Sequence, residues 1–132
     1  MSQDRLQASL DIDRVSTIEI VRIIQEQDAL VAGAGARQAD RIAHAVEQIT
    51  ERLSHGGRLF YAGGGTSGRI AMLDASELPP TYGVSPDLVR VLMAGGERAY
   101  FSAVEGAEDH EEAAIEAVNR EVTADDAVIG IA

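Results

Sequence analysis

The side chains best suited to chemistry fall in two short stretches of the 132-residue sequence. The first is Gly63-Gly64-Gly65-Thr66-Ser67-Gly68-Arg69, with Glu77 following in Asp74-Ala75-Ser76-Glu77; the second is Glu105-Gly106-Ala107-Glu108-Asp109. A glycine-rich loop that opens a helix is an anion site, because free backbone N–H groups point outward and the helix dipole favours negative charge. The loop lacks the lysine of GxxxxGK[ST], so a triphosphate–magnesium site is not expected. Gly63, Gly65 and Gly68 do satisfy GxGxxG, but the acid expected about 20 residues on, at a ribose, has no clear candidate, and Glu97 falls late. The hydroxyls of Thr66 and Ser67 favour a compact phosphate monoester. The plainer alternative is a turn in which Ser67 caps a helix.

Glu77 and Glu108 are a candidate acid–base pair. Two carboxylates with separated pKa values can remove one proton and deliver another. For this both must reach the same mouth of the fold, and that is the expectation carried forward. Against it stands the abundance of acids, any of which can be solvated; Glu108 or Asp109 could equally cap the helix that follows.

The elements that must position these groups read as alternating strands and helices. Leu59-Phe60-Tyr61-Ala62 is a short apolar run bounded by glycines, the pattern of a buried strand. A helix from about Arg69 to Glu77 is expected to stop at Pro79-Pro80, since proline lacks an N–H and clashes with the preceding turn. A second strand spans Leu88 to Ala94, a helical stretch follows from Glu97 to Val104, and an amphipathic helix runs from His110 to Val122. Ala127 to Ala132 reads as a third strand. Upstream, residues 1–14 are polar and irregular. Ser16-Thr17-Ile18-Glu19 has the spacing of a capping box for a helix to Val31, interrupted by Gly33 and Gly35. A second helix covers Arg37 to Ser54, with Ile42, Val46, Ile49 and Leu53 on one stripe. The expected fold is α/β: an N-terminal helical segment, residues 1–54, then a parallel sheet in residues 55–132 with ligands at the C-terminal ends of its strands. Three strands leave an exposed edge, so the sequence is expected to be a truncated piece or a protomer whose edge is covered.

Composition narrows the partners. Hydrophobic residues make up 45 % and aromatics only 4 %, so the core is built from Ala, Val, Ile and Leu. With 11 basic against 22 acidic residues the net charge is −11, which argues against nonspecific binding to nucleic acid or to an anionic membrane. A bound phosphate must then be held by local geometry. There is no cysteine, hence no disulfide or thiol nucleophile, and His44, His55 and His110 show no metal-ligand spacing. No apolar run is long enough to span a bilayer and the N-terminus lacks a signal-peptide pattern, so a cytoplasmic location is expected.

The residues Gly63 to Arg69 and Leu73 to Gly83, together with Ile12 to Glu19, Met93 to Glu97 and Ala103 to Asp109, closely resemble the N-acetylmuramic acid 6-phosphate etherase family, a branch of the sugar isomerase (SIS) fold. The resemblance runs from Asp11 to Ala132. It implies a doubly wound, Rossmann-like SIS domain and a cofactor-free lyase without metal. The family cleaves the D-lactyl ether at C3, giving N-acetylglucosamine 6-phosphate and D-lactate in peptidoglycan recycling. It also implies that Glu77 is the proton donor and Glu108 the partner acid or base, and that Gly65, Thr66, Ser67, Gly68 and Arg69 grip the 6-phosphate. It further implies a homodimer closing each other's sites. Gly64 stands where the family commonly has Ala, and Leu78 where it has Cys. Family members continue past Ala132 into a second Ser/Thr loop, the rest of the sheet and a helical region, so an incomplete phosphate site is expected here. The alternatives are a noncatalytic sugar-phosphate-binding regulator, an inactive fragment of the etherase and, last, a nucleotide-binding dehydrogenase. Retention of both glutamates favours the enzyme.

Overall fold

The computed structural model describes residues 5–132. The chain forms two compact units, one ending at His44 and the other spanning Ala45–Ala132. In the first, helix α1 covers Thr17–Ala36 after a 3-10 turn at Gln7–Ser9. Its capping box forms: Glu19 reaches back to accept from the Ser16 N–H at 2.9 Å and from the Ser16 hydroxyl. The helix does not break at Gly33 or Gly35. A helical glycine costs only about 1 kcal/mol relative to alanine, too little to end a propagating helix. The residues before Arg5 lie outside the described residues, so the expectation of an irregular 1–14 is tested only in part.

Helix α2, Ala39–Ser54, straddles the boundary between the units. The second unit then alternates as read: β1 Leu59–Gly63, α3 Gly65–Tyr82, β2 Val89–Met93, the short α4 Arg98–Phe101, α5 Glu111–Glu121 and β3 Ala127–Ile131. The strands are all parallel in the order β2-β1-β3, with Leu59 opposite both Val89 and Ala127, and Gly63 opposite both Met93 and Ile131. Strand periodicity sorts the side chains. Leu59, Tyr61, Val89, Val91, Ala127 and Ile129 share one face and pack with Ile49 and Leu53 of α2 and Ala75 and Leu78 of α3. Phe60, on the opposite face beside Arg90, is fully buried, with the Arg58 and Arg90 guanidinium carbons 4.9 and 5.8 Å from its ring centre.

Helix α3 departs most from expectation. It starts at Gly65 rather than Arg69 and runs through Pro79 and Pro80 to Tyr82. The prolines leave the Ala75 and Ser76 carbonyls without their helical donors, yet the helix continues through them for one more turn, and Leu78 beside them packs on the core. The stop is Gly83: at φ +67° it takes the left-handed conformation and its N–H donates to the Pro79 carbonyl at 2.8 Å. The stretch expected as a helix from Glu97 to Val104 shortens to one turn, because Ser102 is already extended.

The end of the sheet away from the glycine loop is tied by Asp126. Its carboxylate accepts from the Arg58 N–H at 2.7 Å, from Arg58 Nε and Nη2, and from the Thr123 N–H and hydroxyl. The Arg58 hydrogen bond above all, then those of Thr123, holds this carboxyl well below the usual carboxylate range. A folded-state pKa depressed in this way adds stability above the unfolded value of about 3.9, and loses it as pH falls toward the folded value. Asp126→Asn is therefore expected to cost about 2 kcal/mol at pH 7, below the range for a fully buried pair because Arg58 is partly exposed. In urea titrations the gap from wild type should hold between pH 5 and 8 (roughly the plateau above both pKa values) and shrink under acid; a gap unchanged in strong acid would refute the ion-pair account.

Candidate functional site

Gly63 closes β1 at the C-terminal edge of the sheet, and Gly64 takes an extended backbone (φ −117°, ψ 166°) as the N-cap of α3. Gly65 follows at φ +52°, a conformation open to glycine and strained for other residues. Two residues thus turn the chain from the middle strand into a helix. What reads as a six-residue loop is mostly the first turn of α3. Thr66 and Ser67 lie in that turn, so Ser67 is not the cap, and neither hydroxyl makes a hydrogen bond among the described residues. Gly68 is buried because α3 crosses tightly over β1: a Cβ there would fall 2.7 Å from the Gly63 carbonyl oxygen and 2.3 Å from Met93 Sδ. The glycine lets the first-turn N–H groups stand over the end of the sheet.

Arg69 is half-buried, and its Nε donates to the Ala99 carbonyl at 3.0 Å, anchoring α3 to α4. With Gly65 and Thr66 it lines a cleft of about 180 Å³, whose other wall comes from Ala94, Val104, Glu105, Ala107 and Glu108. Glu108 does not cap α5: it sits in a separate 3-10 turn, Ala107–Asp109, and His110 precedes the helix. A Cβ on Gly64 would lie 3.3 Å from the Cβ atoms of both Glu108 and Ala94. The structure therefore brings Gly65, Thr66, Arg69 and Glu108 together at the C-terminal mouth of the sheet.

It does not bring Glu77 there. Glu77 is exposed on the same helix, three turns beyond Thr66, which at 1.5 Å per residue is roughly 16 Å along the axis. Glu77 is absent from the lining of both cavities that Glu108 borders, so within a single chain the structure does not place the two carboxylates in one cleft. Helix geometry is the reason: extending α3 back to Gly65 fixes the separation. Glu77 instead continues a stripe with Thr66, Ile70 and Leu73, in which Ile70 is 58 % and Leu73 64 % exposed. One turn before it, Asp74 accepts a hydrogen bond of 2.8 Å from the Tyr61 hydroxyl on β1. Burial, then Asp74, push that phenol up to about 12, so Tyr61 is a fixed neutral donor that sets the azimuth of α3.

A parallel sheet in the order β2-β1-β3, whose middle strand delivers a glycine turn to a helix N-terminus, defines a doubly wound α/β domain. Among known families, the glucokinase regulatory protein N-terminal SIS domain matches residues 41–132, and the chain belongs to this family. It is also similar along its whole length to proteins named N-acetylmuramic acid 6-phosphate etherase. One from Symbiobacterium thermophilum is 54 % identical over 132 residues, all of this chain and 44 % of that protein. Another, from Clostridium beijerinckii, is 48 % identical over 99 % of the chain and 43 % of its own length. A third, from Shigella flexneri, is 54 % identical over 95 % of the chain and 42 % of its length. The chain thus spans less than half the length of these relatives. Among the described residues no helix is long and apolar enough to cross a membrane.

Proposed function

We propose that this chain carries the phosphate grip and the acid–base carboxylates of an N-acetylmuramic acid 6-phosphate etherase. The observation that carries the reading is Glu108 at a cleft shared with the first turn of α3 and Arg69; the etherase names of relatives 48–54 % identical support it. The 6-phosphate is held by the N–H groups of Gly65, Thr66 and Ser67, by two hydroxyls and by Arg69, while Gly68 allows the close approach. In the open-chain sugar the C1 aldehyde acidifies the C2 proton. Glu108 takes that proton, the C3–O bond breaks, and an acid protonates the departing D-lactate oxygen. Water then adds at C3 to give N-acetylglucosamine 6-phosphate. No resident cofactor enters these steps.

The acid is Glu77, and its place outside the cleft that Glu108 lines supports its coming from a second copy. The exposed Ile70–Leu73 stripe that leads to Glu77 supports a homodimer joined along α3. The setting we infer is cytoplasmic, in the recycling of cell-wall amino sugars, where phosphorylated sugars are retained. The test is an NMR time course of the chain with N-acetylmuramic acid 6-phosphate in D2O. Lactate release with deuterium appearing at C2 is the expected result. The alternative is a noncatalytic sugar-phosphate-binding regulator, which the etherase names of the relatives do not favour. Binding without lactate or C2 exchange would overturn the etherase in its favour.

A further inference from the structure

Beyond Glu108, on the side away from Thr66 and Arg69, a larger cavity of about 560 Å³ opens between α5 and the sheet. Ala94, Ala107 and Glu108 line both it and the smaller cleft, so the two meet at Glu108. Its walls are methyl-sized and apolar: Ala62 and Leu92 from the sheet, Ala114 and Ala117 from α5. Ala114 lies on the helix face turned to the sheet and yet is exposed, because the space beneath it is not filled. The charged groups in the lining are Glu108, Glu111 and Glu116 against Arg120, with His110 beside them.

We propose that this cavity is the subsite for the 2-acetamido group of a sugar 6-phosphate, reached across Glu108 from the phosphate cleft. The inference rests on the reading of the phosphate site given above. A base that takes the C2 proton must stand beside C2, and the one heteroatom bonded to that carbon, alongside C1 and C3, is the acetamido nitrogen. With the phosphate on the Thr66 side of Glu108, the acetamido group falls on the α5 side. Its methyl meets the alanines and buries apolar surface. Three carboxylates against one arginine disfavour a second carboxylate, so the lactyl group is excluded from this cavity and points out of it. The volume exceeds that of an acetyl group, which makes longer acyl chains acceptable as well.

The experiment is calorimetric titration of the chain with glucose 6-phosphate and with N-acetylglucosamine 6-phosphate. The acetamido sugar is expected to bind roughly tenfold more tightly, the yield of burying a methyl and an amide well. Ala114→Leu, which fills the cavity, should abolish that preference while glucose 6-phosphate binds as before. Should Ala114→Leu not fold, the wild-type chain gives the same answer with N-propionyl- and N-butyrylglucosamine 6-phosphate, which are expected to bind at least as tightly as the acetyl compound. Equal binding of the first two sugars by wild type would overturn the subsite and leave the phosphate reading standing. So would a preference that survives Ala114→Leu, or a sharp loss with the propionyl sugar. If neither sugar phosphate binds, the phosphate reading itself is overturned and the subsite with it.

Discussion

Glu77→Gln and Glu108→Gln, each inactive alone, are expected to recover turnover when mixed. Each variant should lose at least about 10³-fold in lactate release, the usual yield of a positioned acid or base acting with its partner. In one chain Glu108 abuts Gly64 at the start of α3, whereas Glu77 lies three turns further on, roughly 16 Å of helix rise beyond Thr66. In the proposed dimer a shared site takes Glu108 from one copy and Glu77 from the other. When the variants are unfolded together and refolded, half of the dimers are mixed, and each mixed dimer holds one site with both glutamates intact. Recovery of roughly one quarter of wild-type activity follows from that symmetry. No recovery, with mixed dimers demonstrated by mass, would exclude the two-copy site. Recovery also requires both variants to keep sugar 6-phosphate binding, which the same titrations report.

The largest expected loss of stability comes from Gly57→Ala. Gly57 is buried at the end of the sheet opposite the candidate site, between α2 and β1, and its N–H donates to the Arg52 carbonyl at 3.0 Å. A Cβ there would sit 2.1 Å from the carbonyl oxygen of Asp125, 2.9 Å from its carbon and 3.0 Å from the Arg52 oxygen. All three neighbours are backbone, so no rotamer change relieves the clash. The turn before β3 must move, although the Arg52 guanidinium holds the Ala124 carbonyl and Arg58 holds Asp126. We expect a loss of about 3 kcal/mol or more, which for a chain of this size lowers Tm by roughly 10 °C. Gly35→Ala is the control, because its Cβ meets nothing within 4 Å and its φ is not positive. That change should leave stability equal or raise it by about 0.5–1 kcal/mol. A thermal scan in which Gly57→Ala matched Gly35→Ala would refute the steric account.

The strands were legible because each is a short apolar run between glycines or polar turns, and the parallel order follows from the intervening helices. Less legible was α3. Pro79-Pro80 suggests a stop, yet the helix runs through them at the cost of two donors, and the operative stop is Gly83. Three successive glycines suggest a loop, yet a single extended residue, Gly64, is enough to cap a helix that begins at once. This shift of four residues at the helix start also hid how far Glu77 lies beyond Thr66, which a helix drawn from Gly65 makes plain. The phosphate residues carried a signal in their hydroxyls and glycines. The α5 cavity carried none, since Ala62, Ala94, Ala114 and Ala117 have no chemistry to announce and the cavity consists of the volume they leave empty.

The central place of β1 governs how the chain must assemble. Leu59 pairs with Val89 on one side and Ala127 on the other, and the Arg58–Asp126 tie closes a span of 68 residues. Loop closure to β3 costs about 0.7 kcal/mol more chain entropy than closure to β2, which favours pairing of β1 with β2 before β3 docks. During synthesis the delay is set by the ribosome: at roughly 5–20 residues per second, β1 waits for about 3–14 s with one edge unpaired. That edge belongs to the apolar run Leu59-Phe60-Tyr61-Ala62, and an open edge of this kind templates pairing with other chains. How long nascent protein is exposed to such pairing then depends on how soon Ala127–Ile131 arrives, a delay that the stability of the folded sheet does not shorten.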